Sequence, residues 1–507
     1  MIIITLSQAG QSLLEVLGGA TLVIYSVSLM AITIYCLLQF HLLFYYKARR
    51  KKYLTSVNIG QDQDASLPMV TVQLPIYNER YVVKRLLESI TAIDYPKDLM
   101  EIQLLDDSTD DTVDISAEEV SKYQAQGFDI KHVRRTNREG YKAGALKSAT
   151  EYAKGEFIAI FDADFLPESD FLKKTLQHFA NPAVGIVQTR WEHLNQDYSL
   201  LTRVQALQLN VHFTVEQLGR KVGNLLLQFN GTAGVWRKET IADAGGWEAD
   251  TLTEDLDLSY RAQLKGWQVV YLEDVTSPAE LPAEMSGLRS QQFRWMKGGA
   301  ETAKKVLPQV WKSHLSFRQK VHASIHLLGS TVFLAVFSIG IFSVPLAVAL
   351  KPLGVNPNFF TFFLVGLASI IVVYYVANVQ VAWPRESKWK MVVKFLFLFP
   401  IFLALSMGLS FHNSIAVIQG YLGKKSPFVR TPKFDVRGLG DQIAKKSYFS
   451  TKIGSTIMWE GFFALYFLIG LIWGIVAQEP TFVLMHFLLT IGYGLIFYFS
   501  VRNIFLR

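Results

Sequence analysis

The chain has 507 residues, 50% of them hydrophobic and only 18% charged, with a net charge of +7 and one cysteine. An average soluble domain is about 25% charged. These values exclude a disordered chain, a collagen, a disulfide scaffold and a cysteine-rich zinc module. The positive balance fits basic loops on the cytoplasmic face of a membrane better than a nucleic-acid partner.

Residues 16–46 contain no Asp, Glu, Lys or Arg, enough for one span at 1.5 Å per residue. Residues 1–14 hold no Lys or Arg, so a signal peptide's basic n-region is missing and the run reads as a retained anchor. Lys47, Arg49, Arg50, Lys51 and Lys52 follow it, which places that end in the cytoplasm and the N-terminus outside.

From residue 53 to about 299 the pattern changes. Short apolar runs (69–77, 101–105, 128–134, 157–161) alternate with amphipathic stretches (81–93, 112–126, 142–153). That alternation predicts βαβ units and a parallel sheet, with ligands beyond the carboxyl ends of the strands. No Gly-x-Gly-x-x-Gly follows the first strand and there is no Walker A sequence. Residues 300–320 mix basic with bulky apolar side chains, as helices on a membrane surface do, or as a solvated linker with ordinary helix charges would.

Uncharged runs return at 321–350, 352–384, 395–423, 461–478 and 481–501. The flanking basic stretches 385–394 and 424–452 both read as cytoplasmic, so 395–423 is either a re-entrant segment or an ordinary span with a misassigned loop. Pro400, Gly408, His412 and Asn413 mark it as breakable. His326, His412 and Asn413 are candidates either for a polar channel lining or for interhelical hydrogen bonds.

Four clusters carry chemistry. Asp106 and Asp107 end an apolar strand and can accept from a nucleobase or ribose, or else cap the next helix. Asp162 and Asp164, spaced i, i+2 after FIAIF, can hold a hard divalent cation on a phosphate. Thr253-Glu254-Asp255 opens a helix and offers a general base, although acidic residues there also suit the helix dipole. Gln291, Arg294 and Trp295 offer hydrogen bonds and a flat face for a sugar ring, or an interfacial helix with an exposed Trp.

In order and context these clusters resemble the D, DxD, TED and QxxRW signature of processive family-2 glycosyltransferases. Within that family the chain looks most similar to plant cellulose synthase-like mannan synthases and xyloglucan-backbone glucan synthases. The stretches QLPIYNER (73–80), LLDDSTDDT (104–112), GYKAGALK (140–147), AIFDADF (159–165), FNGTAGVWR (229–237) and TEDLDLSYRAQLKGW (253–267) carry the likeness.

The resemblance implies an α/β domain of the GT-A type, on the cytosolic side, joined to a multi-pass helical membrane region. It implies an inverting transfer of a hexosyl unit from a UDP- or GDP-hexose to a growing β-linked mannan or glucan, with translocation. In that reading Asp106 and Asp107 contact the base and Lys142 lies by the diphosphate. Asp162 and Asp164 hold Mg²⁺ or Mn²⁺. Asp255, with Glu254 beside it, is the catalytic base, and Gln291, Arg294 and Trp295 hold the acceptor and leaving group. Residues 428–433 (FVRTPK) resemble the Phe-x-Val-Thr-x-Lys gating loop of bacterial cellulose synthase, with Arg430 where that motif has Val. Thr431 and Lys433 would reach the diphosphate. A ceramide glucosyltransferase-like enzyme making a glycolipid is the alternative. A non-catalytic scaffold is disfavoured because every signature carboxylate is present, and a nucleic-acid binder because the basic residues cluster by the membrane.

The expected division is 1–52 anchor and basic segment, 53–299 transferase domain, 300–320 interfacial helices, and 321–507 membrane region with cytosolic loop 424–452. The absence of a signal peptide or retention signal leans toward a bacterial inner membrane rather than a Golgi membrane.

Overall fold

A computed structural model describes residues 8–58, 67–381, 387–426, 429–436 and 455–505. Phe428 and most of the basic loop after 436 lie outside the described residues. The chain divides into two compact units. One comprises Leu42–Leu327 with Gly420–Phe449; the other comprises Met1–His41, Leu328–Gln419 and Ser450–Arg507.

The first of these is built on a seven-stranded sheet: β1 (Val70–Ile76), β2 (Met100–Asp106), β3 (Asp129–Arg134), β4 (Phe157–Ile160), β5 (Val184–His193), β6 (Gly234–Arg237) and β7 (Gln268–Ala279). Their order is β3-β2-β1-β4-β6-β5-β7. β1 to β4 are parallel, as the sequence predicts; β1, β2 and β4 are buried, whereas β3 (DIKHVR) is a part-exposed edge strand. The other half departs from an all-parallel sheet. β6 runs antiparallel to both β4 and β5, while β5 and β7 are parallel. A four-residue strand between irregular segments leaves too short a pattern to give its direction from sequence.

The chain winds from β1 through β2 to β3 on one side, then crosses back to β4 on the other. The carboxyl ends of β1 and β4 therefore flank a topological switch point, where an open α/β sheet leaves a crevice.

A 28-residue helix, Met285–Lys312, carries Gln291, Arg294 and Trp295 and runs on through most of the segment read as interfacial. Gly298 lets it lie against the 252–253 turn. A Cβ there would come within 2.8 Å of the Thr253 amide nitrogen. Glu301 accepts from the Leu252 amide (2.9 Å) and Thr302 meets Thr253 (3.0 Å), so this helix and the turn that carries Glu254 and Asp255 are tied together.

Six helices among the described residues are long and apolar enough to cross a bilayer, so this is an integral membrane protein. In the membrane unit the uncharged run 395–423 is not one helix. Lys388–Gly408 has span length, and Ser410–Tyr421 begins as a separate helix just after it. Helices 388–408 and 483–505 meet through glycines. A Cβ on Gly492 would reach 1.9 Å from the Ala404 carbonyl oxygen, and one on Gly408 would reach 2.5 Å from Gly492. Small residues at such contacts let backbones approach where no hydrophobic drive exists between helices. His326 belongs to the other unit, where it hydrogen-bonds Tyr260 (2.7 Å) and Gln228 (3.1 Å), the interhelical alternative. Asn413 is fully buried.

Candidate active site

The cleft at the switch point is lined by residues from every predicted cluster: Asp107, Lys142, Asp162, Asp164, Glu254, Asp255, Gln291, Arg294, Trp295, Thr431 and Lys433. Asp106 is the exception. It is 1% exposed, accepts from the Ser108 amide (2.8 Å), and pairs with His132 of β3 (2.8 Å). Burial raises its pKa, but His132 and Ser108 outweigh that and hold the carboxyl below its ordinary value. Its side chain braces the strand ends, and the cleft sees Asp107 instead.

Asp107 is gripped by the fork of Arg135, with nitrogen–oxygen distances of 3.0 and 2.5 Å. Arg135 also donates to the carbonyls of Glu139 (2.9 Å) and Tyr141 (3.0 Å), which fixes the turn before Lys142. Arg138 lies over the Tyr77 ring at 3.3 Å and faces the same part of the cleft. Asn78 at the end of β1 donates its amide to Ser108 Oγ and accepts from the Thr109 amide, both at 2.8 Å, so the β1 and β2 loops are clamped together.

Lys142 stands in the first turn of helix Tyr141–Tyr152. Its ammonium donates to Asp162 Oδ1 (2.5 Å) and to the Gly231 carbonyl (3.0 Å). Burial lowers its pKa, but Asp162 and the Glu254–Asp255 pair overcome this and raise it above the ordinary value. Asp162 remains 37% exposed, whereas Asp164 is 5% exposed. Asp164 Oδ2 accepts from Lys433 Nζ (2.6 Å) and from the Glu280 amide (3.0 Å).

Glu254 and Asp255 begin helix Glu254–Leu264. Asp255 Oδ1 accepts from the Leu256 amide (2.8 Å), and a Cβ on Gly231 would sit 3.0 Å from its Oδ2. Burial, then repulsion from Glu254, pushes the Asp255 carboxyl up to about 7. Burial raises Glu254 as well. Burial pulls the Arg294 guanidinium down, although Asp162, Glu254, Glu79 and Asp255 all surround it.

Segment 429–436 lies in this cleft. Arg430 pairs with Glu79 (3.2 Å), Thr431 Oγ1 accepts from Arg294 (3.0 Å), and Lys433 covers Asp164. Asp435 pairs with Arg85, and Glu280 accepts from the Phe434 amide (2.8 Å). Thr431 and Lys433 thus engage the QxxRW and DxD residues directly. Glu79, which sequence reading passed over, is raised to about 8, by burial first and despite Arg430. Its position just after β1, at the switch point, was the available signal.

The arrangement gathers carboxylates that suit a hard cation, cations that suit a diphosphate, and one carboxylate with a near-neutral pKa that is free to take a proton. The sheet with its strand-end carboxylates is a GT-A-like glycosyltransferase fold. A mannosyltransferase from Pyrobaculum calidifontis, solved with GDP-Man and Mn²⁺, superposes with a TM-score of 0.50 at 18% identity, covering 79% of this chain and all of that one.

Residues 68–298, just under half the chain, match the family described as "Glycosyltransferase like family 2", and that segment is a family-2 glycosyltransferase domain. Among curated relatives, probable glucomannan 4-beta-mannosyltransferase 4 of Oryza sativa subsp. japonica is 44% identical over 279 residues, 54% of this chain and 50% of its own. Probable glucomannan 4-beta-mannosyltransferase 11 of the same plant is 46% identical over 263 residues, 51% of this chain and 46% of its own. The chain spans about half the length of the curated relatives it matches.

Proposed function

We propose that this protein is an inverting hexosyltransferase that builds a β-linked mannan or glucan from a UDP- or GDP-hexose. The observation that supports it most directly is the convergence of Asp107, Asp162, Asp164, Asp255 and Arg294 on one cleft in a family-2 domain. The similarity to plant glucomannan mannosyltransferases favours a polymer over a glycolipid.

In this reading the residues take the following roles. Asp107, held by Arg135, presents its carboxylate to the nucleoside beside Tyr77 and Arg138. Lys142 and Arg294 face the diphosphate, and Thr431 and Lys433 close over it. An acceptor hydroxyl attacks the anomeric carbon while the carbon–oxygen bond to the diphosphate breaks, and Asp255 takes the hydroxyl proton. Attack from the face opposite the leaving group inverts the anomeric centre. Trp295 and Gln291 hold the acceptor end.

Asp162 and Asp164 offer the oxygen donors that Mg²⁺ or Mn²⁺ prefers, and Lys433, a cation, already lies on Asp164. A bound divalent ion would offset the charge that grows on the leaving diphosphate. The catalytic cleft lies on the cytosolic side in this reading, where nucleotide sugars are made, and a chain of neutral sugars would leave through the membrane unit. Similarity to rice proteins gives the bacterial-membrane expectation no support over a Golgi membrane.

The test is sugar incorporation by purified full-length protein in nanodiscs. UDP-glucose, GDP-mannose, UDP-N-acetylglucosamine and UDP-galactose are supplied in parallel, with Mg²⁺, with Mn²⁺ and with chelator. A high-mass product cut by a single β-glycanase is expected, and chelator should abolish it. A labelled lipid in place of polymer would move the reading to glycolipid synthesis. No transfer from any donor would overturn it.

A further inference from the structure

One wall of the cleft carries no charge. Trp191 and His193 stand two apart on β5 and therefore face the same side of the sheet, and Asn230 and Leu209 line the cleft with them. The Trp191 ring is fixed by stacking on Phe213 (4.8 Å, 28°) and by an edge contact with Phe165 (5.0 Å, 71°). The Asn210 side chain and the Glu192 backbone lie beside the His193 ring. The Asn230 amide oxygen accepts from Gln228 (2.8 Å) and meets His212 (2.8 Å), which fixes which way the amide points.

Each of the three keeps one buried nitrogen with no hydrogen-bond partner among the described residues: Trp191 Nε1, His193 Nε2 and Asn230 Nδ2. Buried polar groups are seldom left unpaired in a native fold, and one beside a cleft can be satisfied by a ligand or a water. Here all three belong to residues of one cleft wall.

The position of that wall says which part of a ligand it meets. Phe165, touched by Trp191, directly follows Asp164. Asn230 directly precedes Gly231, whose carbonyl takes the Lys142 ammonium and which lies against Asp255. The wall thus runs from the DxD carboxylates toward the base. In any transfer at this site the sugar must lie between those two points, because its anomeric carbon is bonded to the diphosphate and attacked from the base's side.

We infer that Trp191, His193 and Asn230 form the subsite that reads the hydroxyls of the transferred hexosyl unit, and that this unit is a neutral sugar. The indole and amide nitrogens donate to hydroxyl oxygens. The imidazole nitrogen donates or accepts according to its tautomer, and a sugar hydroxyl satisfies either. Burial lowers the His193 pKa to about 4, so its ring is neutral at pH 7. None of the three offers a cation to a sugar carboxylate. The inference rests on the glycosyltransferase reading and adds the residues that choose the sugar.

The experiment uses full-length protein in nanodiscs with whichever of UDP-glucose and GDP-mannose the wild type turns over. Trp191→Phe keeps an aromatic ring but removes the pyrrole part of the indole with its N–H; His193→Phe removes the ring nitrogens. Each should lower kcat/KM for the donor about tenfold or more, as loss of a hydroxyl-reading group does. Inhibition by the free nucleoside diphosphate, which carries no hexose, should stay unchanged and also reports that the variants are folded. Donors with a single ring hydroxyl replaced by hydrogen identify the contact. The hydroxyl read by a residue should matter in wild type and no longer matter in that residue's variant. Unchanged kcat/KM in both variants, equal losses for parent and every deoxy donor, or a parallel loss of nucleotide binding would each overturn the subsite. Failure of the wild type to transfer any hexose would sink the proposed function instead, and the two failures are thereby told apart.

Discussion

The two halves of the sheet handle a ligand in opposite ways. Around the ends of the parallel strands β1, β2 and β4, the cleft holds four pairs of opposite charge: Asp107 with Arg135, Asp162 with Lys142, Asp164 with Lys433, Glu79 with Arg430. Along β5 in the mixed half, the cleft side chains Trp191 and His193 are neutral, and each keeps a buried nitrogen with no hydrogen-bond partner among the described residues. A buried charge without a partner is expensive, so the charged side must be internally neutralised when no ligand is bound. A neutral hydrogen-bonding group costs less to leave waiting. Under the proposed function, paired charges concentrate at the diphosphate and the neutral wall meets the sugar.

Substitutions can break or sharpen that contrast. The largest effect should come from Asp255→Asn, which removes the base. kcat should fall by about 10²–10⁴-fold with nucleoside diphosphate affinity retained, as single-turnover assays and calorimetry would show. Retained turnover would remove Asp255 from its role. Next, Lys142→Ala or Arg294→Ala should cost about 10²–10³-fold in kcat, by loss of charge stabilisation on the leaving group. Lys142→Ala should also weaken nucleoside diphosphate binding, which a neutral-wall variant should not do.

The pH profile gives a smaller, graded effect. Burial and Glu254 raise the Asp255 pKa to about 7, and the proposed base role needs its carboxylate form. Activity should therefore be full above that value and fall about tenfold per unit below it. The residual activity of Asp255→Asn should lose this acid limb, and a wild-type profile flat down to pH 5 would count against the assignment. Trp191→Phe and His193→Phe come next, at about tenfold in kcat/KM.

The smallest effect on catalysis should come from Gly492→Ala in the membrane unit. Its Cβ has no room against the Ala404 carbonyl, and overpacking of this kind costs about 1–3 kcal/mol. The melting temperature should fall by several degrees in a thermal-shift assay. An unchanged melting temperature would rule out a tight glycine contact between these two helices.

Much of the charged half was legible in the sequence, for a local reason. Asp107, Asp162 and Asp164 follow short apolar runs that can only be buried strands, and Glu254 and Asp255 open an amphipathic helix. Each signal is complete within a few residues. The spans were legible too, since 18 or more consecutive apolar residues have few soluble uses. The break after Gly408 was only half legible, because an uncharged run carries no periodicity to mark where one helix stops.

What only the tertiary structure decided lies in longer-range pairing. Whether Asp106 or Asp107 faces the cleft depends on which of them meets His132 across β2 and β3. Glu79 enters the site because β1 lies between β2 and β4. Arg430 comes from a segment hundreds of residues further along the chain. Trp191, His193 and Asn230 became one wall because β6 turns back antiparallel between β4 and β5, and Asn230 donates its amide to Gln188 (2.8 Å). A neutral Trp, His or Asn carries no local pattern that separates recognition from packing. Only burial beside a cleft, with a nitrogen left unpaired among the described residues, marks it as a candidate for recognition.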